Sequence, residues 1–372
     1  MNDNKNVLIC IGTRPEAIKM APVYFKFLKS GYNTKLCVTA QHRDLLDQVL
    51  EFFKMKPDFD LNLMTPNQTL NKLSSRILEA IDKIFIEHKI DLVLVHGDTT
   101  TSSVIALAAF NRKIKVAHVE AGLRTYNKWS PFPEEMNRQL TGRLADYHFA
   151  PGISASQNLL KEGVASNTIL VTGNTVIDAL KMTGEILDQG FSTPVIESLK
   201  EAINFDKKII LVTGHRRENF GEGFESICNA LVEISKDNTV EIVFPVHLNP
   251  NVQEVVYKRL SNLPNVHLVA PLDYPTFIWL MKKAHLIISD SGGVQEEAPT
   301  FGVPVLVTRS VTERQEGVDA GCSFLVGTDQ DLIVSKAQQI LSKTKQINTV
   351  INPYGDGDAS QKIVDFFNTN TW

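Results

Sequence analysis

The chain has 372 residues, 43% of them hydrophobic and 22% charged, and its 38 basic and 42 acidic side chains leave a net charge of −4. This length exceeds what one hydrophobic core usually supports, so two domains are expected. Charge of both signs is evenly mixed with no dense basic run, which argues against a nucleic-acid partner and requires any substrate anion to be gripped locally. The cysteines Cys10, Cys37, Cys228 and Cys322 lie far apart without a Cys-x-x-Cys pair, so neither a metal site nor a disulfide framework is expected. The opening Met1-Asn2-Asp3-Asn4-Lys5-Asn6 is polar and runs straight into an apolar stretch too short for a secretory signal. No apolar run approaches the roughly 18 residues of a membrane helix, so the expectation is a cytoplasmic protein with no membrane partner.

In chain order, short continuous apolar runs at 7–11, 34–39, 92–95, 115–119 and 147–150 alternate with helical periodicity. The same alternation returns at 208–213, 241–246, 266–269, 286–289 and 303–307. Strands of this kind, separated by helices, predict parallel sheets covered on both faces. The expected fold class is α/β, with two Rossmann-like doubly wound domains facing a central cleft where their strand C-terminal ends meet. The expected divisions are 1–174 for the first domain, 175–354 for the second, and 355–372 for a terminal helix crossing back onto the first domain. The break Gly190-Phe191-Ser192-Thr193-Pro194 reads as a surface segment near the junction.

After the first strand comes Gly12-Thr13-Arg14-Pro15-Glu16-Ala17-Ile18-Lys19. Glycine permits the turn, Pro15 suits the first helical position, and the backbone N–H groups with Arg14 and Lys19 are expected to face a phosphate. The spacing matches neither a Walker loop nor Gly-x-Gly-x-x-Gly. His96-Gly97-Asp98-Thr99-Thr100-Thr101 and Glu120-Ala121-Gly122-Leu123-Arg124 each follow a buried strand, placing Asp98 and Glu120 at one sheet edge. Glu134, in Pro131-Phe132-Pro133-Glu134-Glu135, falls in a first helical turn beyond a proline-stiffened loop. Taken singly, Asp98 could cap the Thr-rich helix and Glu134 could serve the helix dipole. Three carboxylates converging from separate loops instead fit acid–base chemistry, which needs neighbouring groups with pKa values pushed apart.

The second half offers Gly214-His215-Arg216-Arg217-Glu218 after one strand and Asp290-Ser291-Gly292-Gly293-Val294-Gln295-Glu296-Glu297 after another. Ser291, Gly292 and Gly293 would let a helix N-terminus approach a diphosphate, with Glu297 accepting from ribose hydroxyls. His215 or its neighbouring arginines would neutralise the diphosphate, and Thr312-Glu313-Arg314 adds a guanidinium at the same edge. His247, flanked by Pro245 and Pro250, reads either as a packed ring or as a site residue.

Together these segments resemble the non-hydrolysing UDP-N-acetylglucosamine 2-epimerases. The resemblance runs nearly end to end, through residues 12–19, 39–43 (Thr-Ala-Gln-His-Arg), 96–101, 120–124, 173–180 (Gly-Asn-Thr-Val-Ile-Asp-Ala-Leu), 214–218, 290–293 and 352–357 (Asn-Pro-Tyr-Gly-Asp-Gly). It implies the GT-B-type fold of many nucleotide-sugar glycosyltransferases, interconversion of UDP-GlcNAc with UDP-ManNAc for bacterial surface polysaccharide, and a homodimer. It implies Arg14, Lys19, Asp98, Glu120, Glu134 and His215 at the reaction centre. Around the UDP it implies Arg14, Lys19, His215, Phe277, Ser291, Gly292, Gly293, Glu297 and Arg314. Some bacterial members bind a second UDP-GlcNAc as activator, which would involve Gln41, His42, Gln68 and His247 here. Two positions depart from the family pattern: Gln315 replaces a proline after Arg314, and Leu272 replaces a glutamine near the uracil.

The carbon to be inverted has no adjacent carbonyl to acidify its hydrogen, and the sequence carries no dinucleotide fingerprint or metal-ligand spacing, so no cofactor is expected. Elimination is the expected route: a carboxylate takes the C2 proton while the C1–O bond to UDP breaks, and UDP later re-adds to the unsaturated sugar. A hydrolysing epimerase releasing ManNAc and UDP, a glycosyltransferase of the same fold, and a non-catalytic UDP-sugar sensor are the competing readings.

Overall fold

The computed structural model describes residues 5–39, 43–63, 65, 68–342, 352–370 and 372, the side chain of Asp44 excepted. The chain divides into two compact α/β units, one running to Ala179 and including Gly355–Trp372, the other spanning Leu180–Tyr354. The division falls inside the helix Thr175–Asp188.

In the first unit the strands are β1 (Asn6–Ile11), β2 (Asn33–Val38), β3 (Phe59–Asp60), β4 (Leu92–His96), β5 (Lys115–Val119), β6 (Tyr147–Ala150) and β7 (Ile169–Val171). They pair in parallel in the order β3-β2-β1-β4-β5-β6-β7. Every residue of β4 is buried, as a parallel strand covered on both faces requires. Chain direction across the sheet reverses between β1 and β4, and at such a switch point the loops leave a crevice at the strand C-terminal ends.

The second unit contains β8 (Lys208–Thr213), β9 (Val240–Pro245), β10 (Val266–Val269), β11 (Leu286–Ser289), β12 (Val305–Val307) and β13 (Ser323–Leu325). Their order, β10-β9-β8-β11-β12-β13, is again fully parallel, with its switch point between β8 and β11. Both units are therefore doubly wound, and the fold is of the expected class. No helix among the described residues is long and apolar enough to cross a membrane.

Strands β3, β7 and β13 were not anticipated from hydrophobic runs. Each lies at a sheet edge, is two or three residues long and is only partly buried, so it lacks the continuous apolar signature of the central strands. The terminal helix Ala359–Thr369 belongs to the first unit, where it packs Phe367 against Phe27 with ring centroids 5.8 Å apart. Asp178 holds its N-terminus by accepting from the backbone N–H groups of Ala359 and Ser360 and from the Ser360 hydroxyl. A carboxylate there meets the positive end of the helix dipole.

Candidate active site

The loops at the first switch point are organised around Glu16. Thr13 caps the helix Arg14–Lys29, and Glu16 completes a capping box. Glu16 Oε2 accepts from Gly12 N at 2.9 Å, Thr13 N at 2.8 Å and Thr13 Oγ1 at 2.8 Å. These backbone donors, expected to face a phosphate, are thus taken by the chain's own carboxylate. Gly12 is needed for a steric reason as well: a Cβ there would stand 2.3 Å from Thr101 Oγ1 and 2.5 Å from Thr39 Oγ1, which hydrogen-bond each other. Arg14 opens the helix and is half-buried.

Glu120 follows β5 with a φ of +61°, a conformation that turns the chain sharply at the sheet edge. Its Oε1 accepts from the Lys19 ammonium and, at 3.3 Å, from Asn174 Nδ2. The His96 Nε2 atom lies 3.5 Å from its other oxygen. Burial pushes the Glu120 carboxyl up, but the Lys19 charge and hydrogen bond outweigh it and hold the pKa at about 2. Burial lowers His96 to about 4, so that ring is neutral at neutral pH and Lys19, with a smaller contribution from Arg138, keeps Glu120 ionised.

Asp98, after the adjacent strand β4, is pushed the other way. Burial raises its pKa, the Arg138 guanidinium opposes this, and the charges of Glu120 and Glu134 add to the rise. Arg138 Nη2 reaches Asp98 Oδ2 at 2.5 Å. Asp98 is not a cap: Thr99 caps the helix Thr100–Asn111 by accepting from Ser102 N, which leaves the Asp98 carboxylate free of that duty. The Asp98 carbonyl accepts from Asn137 Nδ2, one turn into the helix Glu134–Leu144, so its loop is tied to the element that carries Glu134. Both Ser130-Pro131 and Phe132-Pro133 are cis in the approach to that helix. Its second acidic residue, Glu135, is fully buried and structural, accepting from Thr125 N and Tyr126 N.

At the second switch point the organising residue is Asp290, which is wholly buried. Its Oδ2 accepts from His215 N at 2.9 Å and Arg216 N at 2.8 Å, fixing the loop after β8 against the end of β11. The exposed ring of His215 stacks on His247, with centroids 5.3 Å apart and planes 19° from parallel. Ser291 precedes the short helix Gly292–Glu297, and Arg314 lies so close that a Cβ on Gly292 would meet its Cζ at 2.9 Å. Arg314 Nε donates to Glu296 at 3.0 Å and Nη1 to Glu313 at 3.1 Å. Phe277, in the helix Tyr274–Lys283, is half-buried.

With Gln at position 315, this loop is supported by side chains from elsewhere in the unit. The Tyr354 hydroxyl donates to Arg314 O at 3.1 Å and accepts from Gly317 N at 3.0 Å, bracketing the start of the helix Gln315–Asp319. Tyr354 is itself held by Asn352, whose side chain also donates to Glu296 O and Thr300 Oγ1.

Residues 28–368 match the family model described as UDP-N-acetylglucosamine 2-epimerase. The UDP-N-acetylglucosamine 2-epimerase of Escherichia coli O157:H7 is 52% identical over 373 residues, covering 98% of each chain. The chain belongs to the UDP-N-acetylglucosamine 2-epimerase family. Among solved structures, the Neisseria meningitidis UDP-GlcNAc 2-epimerase bound to UDP-GlcNAc superposes with a TM-score of 0.83 at 48% identity, over 98% of this chain and 100% of that one. The Methanocaldococcus jannaschii UDP-GlcNAc 2-epimerase in complex with UDP-GlcNAc and UDP does so with a TM-score of 0.76 at 32% identity, again over 98% and 100%.

Within this 2-epimerase fold, the residues picked out in the sequence fall into two sets. Lys19, Asp98, Glu120 and Glu134 gather in the first unit, and His215, Ser291, Gly292, Gly293, Glu297 and Arg314 occupy the loops and short helix around the second unit's sheet edge. Gln41 and His42 lie outside the described residues. Gln68 accepts from Thr65 Oγ1 at 3.1 Å, and His247 stacks on His215. The sequence reading missed Glu16, Arg138 and Tyr354, whose partners Thr99, Asp98 and Arg314 lie far away in the chain, Glu16 also binding the nearby Gly12 and Thr13.

Proposed function

We propose that this epimerase reversibly inverts C2 of UDP-GlcNAc to give UDP-ManNAc by expelling and re-adding UDP. The observation that carries the proposal is the pair of carboxylates in the loops after adjacent strands whose pKa values are driven apart: Glu120 held down chiefly by Lys19, Asp98 raised by burial and by neighbouring negative charge. Two proton transfers on opposite faces of one carbon need two such differently tuned groups. The C2–H bond yields its proton to a carboxylate and its electron pair to a new C1=C2 bond, while the C1–O bond breaks with its electrons on UDP. The product is 2-acetamidoglucal with UDP still bound. Re-addition reverses each step, with the proton delivered to the other face.

Asp98, Glu120 and Glu134 divide the proton transfers in this scheme. Arg14, Lys19 and His215 stabilise charge on the departing diphosphate, an interaction worth most in the transition state. Lys19 has a second duty, since its ammonium already pairs with Glu120. Phe277, Ser291, Gly292, Gly293, Glu297 and Arg314 hold the nucleotide. The enzyme acts as a cytoplasmic homodimer and supplies ManNAc units for bacterial surface polysaccharide, and His247 with Gln68 would serve an activating UDP-GlcNAc.

The test is incubation of the purified enzyme with UDP-GlcNAc in heavy water, followed by proton NMR. The expected result is UDP-ManNAc with deuterium at C2, and deuterium appearing in the recovered UDP-GlcNAc as well. Inversion with the original hydrogen retained would overturn the elimination route, and free ManNAc with UDP would make the enzyme the hydrolysing kind.

A further inference from the structure

The second Asp290 oxygen is the one polar atom of that carboxylate that its loops leave unserved. Asp290 Oδ2 carries both backbone hydrogen bonds, from His215 and Arg216. Its Oδ1 is buried and has no hydrogen-bond partner. A buried carboxylate oxygen without a donor is costly, so an unfilled position of this kind asks for an explanation. What faces it is His215 Nδ1, at 3.6 Å. That separation is beyond hydrogen-bond length, and a small rotation of the ring closes it, since half of the His215 side chain is free of packing.

We propose that Asp290 is a positioning residue that holds His215 in the tautomer protonated on Nδ1. The carboxylate accepts that proton's hydrogen bond, which leaves Nε2 as the nitrogen that meets substrate. Stacking against His247 restricts the ring to its own plane, so the hydrogen bond and the stack together define the imidazole's direction. The same carboxylate also binds the backbone N–H of His215, which means that one buried group sets both the loop position and the ring state. As imidazole, His215 then presents an Nε2 lone pair, and on taking up a proton it becomes a cation whose Nδ1–H is already neutralised by Asp290. This extends the reading of His215 as a diphosphate-facing residue and rests on that reading for its catalytic consequence, but not for the tautomer itself.

The experiment is long-range nitrogen–proton correlation NMR on the full chain labelled with nitrogen-15 histidine, with His215 assigned by its loss in His215→Asn. In the wild-type protein with the ring neutral, His215 should show a proton on Nδ1. A His215 protonated on Nε2 overturns the proposal without any variant of Asp290 being needed. In Asp290→Asn the carboxamide oxygen can still accept both backbone N–H groups while its amino group faces Nδ1, so the ring should switch to the Nε2–H tautomer. An unchanged tautomer in a folded Asp290→Asn protein also overturns it. With the switch, kcat should fall on the order of 10²-fold with a much smaller change in KM. A tautomer switch with unchanged kcat supports the positioning role and removes His215 from the reaction centre, which separates failure of the earlier reading from failure of this one.

Discussion

Thr99 donates a 2.7 Å hydrogen bond to Glu16 Oε1, tying the loop after β4, which carries Asp98, to the helix that follows β1. Burial lifts the Glu16 pKa from 4.5 to about 7 in spite of the four donors around it. Because its folded pKa lies above its unfolded one, Glu16 contributes its full stability below pH 4.5 and loses it as pH rises through 7. The difference is about 3 kcal/mol across that window. Glu16→Gln can keep the pattern, its carbonyl taking the three donors and its amide giving to the Thr99 hydroxyl. Urea unfolding at pH 5 and pH 8 should therefore show this component of the pH dependence removed. In Glu16→Ala the buried Gly12 N–H loses its acceptor, so stability should fall by about 2 kcal/mol at pH 8 and by more at pH 5, where wild-type Glu16 stabilises most.

Asp98→Asn keeps a polar group against Arg138 and leaves the Thr99 cap untouched, so the protein should fold with little change in thermal midpoint. Turnover should fall by roughly 10²- to 10⁴-fold, the range for loss of one acid–base group. Exchange of the C2 hydrogen with solvent should fall in step. Near-normal exchange would remove Asp98 from the reaction centre.

Lys19→Met deletes the principal cation that keeps Glu120 ionised. The wild-type Glu120 pKa is depressed, so its stabilising contribution is present above pH 4.5 and disappears as pH falls towards 2. In the variant burial is less opposed and the pKa rises. The acid limb of the kcat/KM profile and the midpoint of acid unfolding should both move to higher pH. At neutral pH, stability should drop by about 3 kcal/mol, the cost of leaving one member of a buried pair without its partner. An acid limb that stays in place would show that Lys19 does not govern this carboxylate.

Tyr354→Phe removes the hydroxyl that brackets Arg314 and Gly317. Because position 315 is Gln and not proline, the loop has less backbone restraint of its own to fall back on. Calorimetric titration with UDP should show affinity weakened several-fold, while global stability falls by only about 1 kcal/mol. Unchanged UDP affinity would mean that Arg314 is positioned by its pairs with Glu296 and Glu313 alone.

The central strands, the helix starts and the segments that flank the switch points were legible in the sequence because they are local signals. Apolar runs mark β1, β4, β8 and β11, and Pro15 marks the first turn of a helix. The edge strands β3, β7 and β13 were not legible, since a strand of two or three residues without a continuous buried run is defined by its neighbour and not by its own pattern. The Gly12 turn was read as a phosphate cradle for a similar reason. Its glycine and proline were visible, but nothing in that segment alone shows that Glu16 folds back to occupy the donors.

The amino-acid sequence by itself determined where the acidic and basic side chains would emerge, because a residue just after a buried parallel strand has to appear at the sheet's C-terminal edge. The tertiary structure alone decided which of them would meet. Lys19 and Glu120 are 101 positions apart, Thr99 and Glu16 are 83 apart, and Asp290 lies 74 or 75 positions from the N–H groups it holds. Those distances are closed by the order of strands across each sheet. The pKa of a buried carboxyl depends on the charge within a few ångströms of it, and that neighbour is chosen by the crossover connections, not by the residues beside it in the chain.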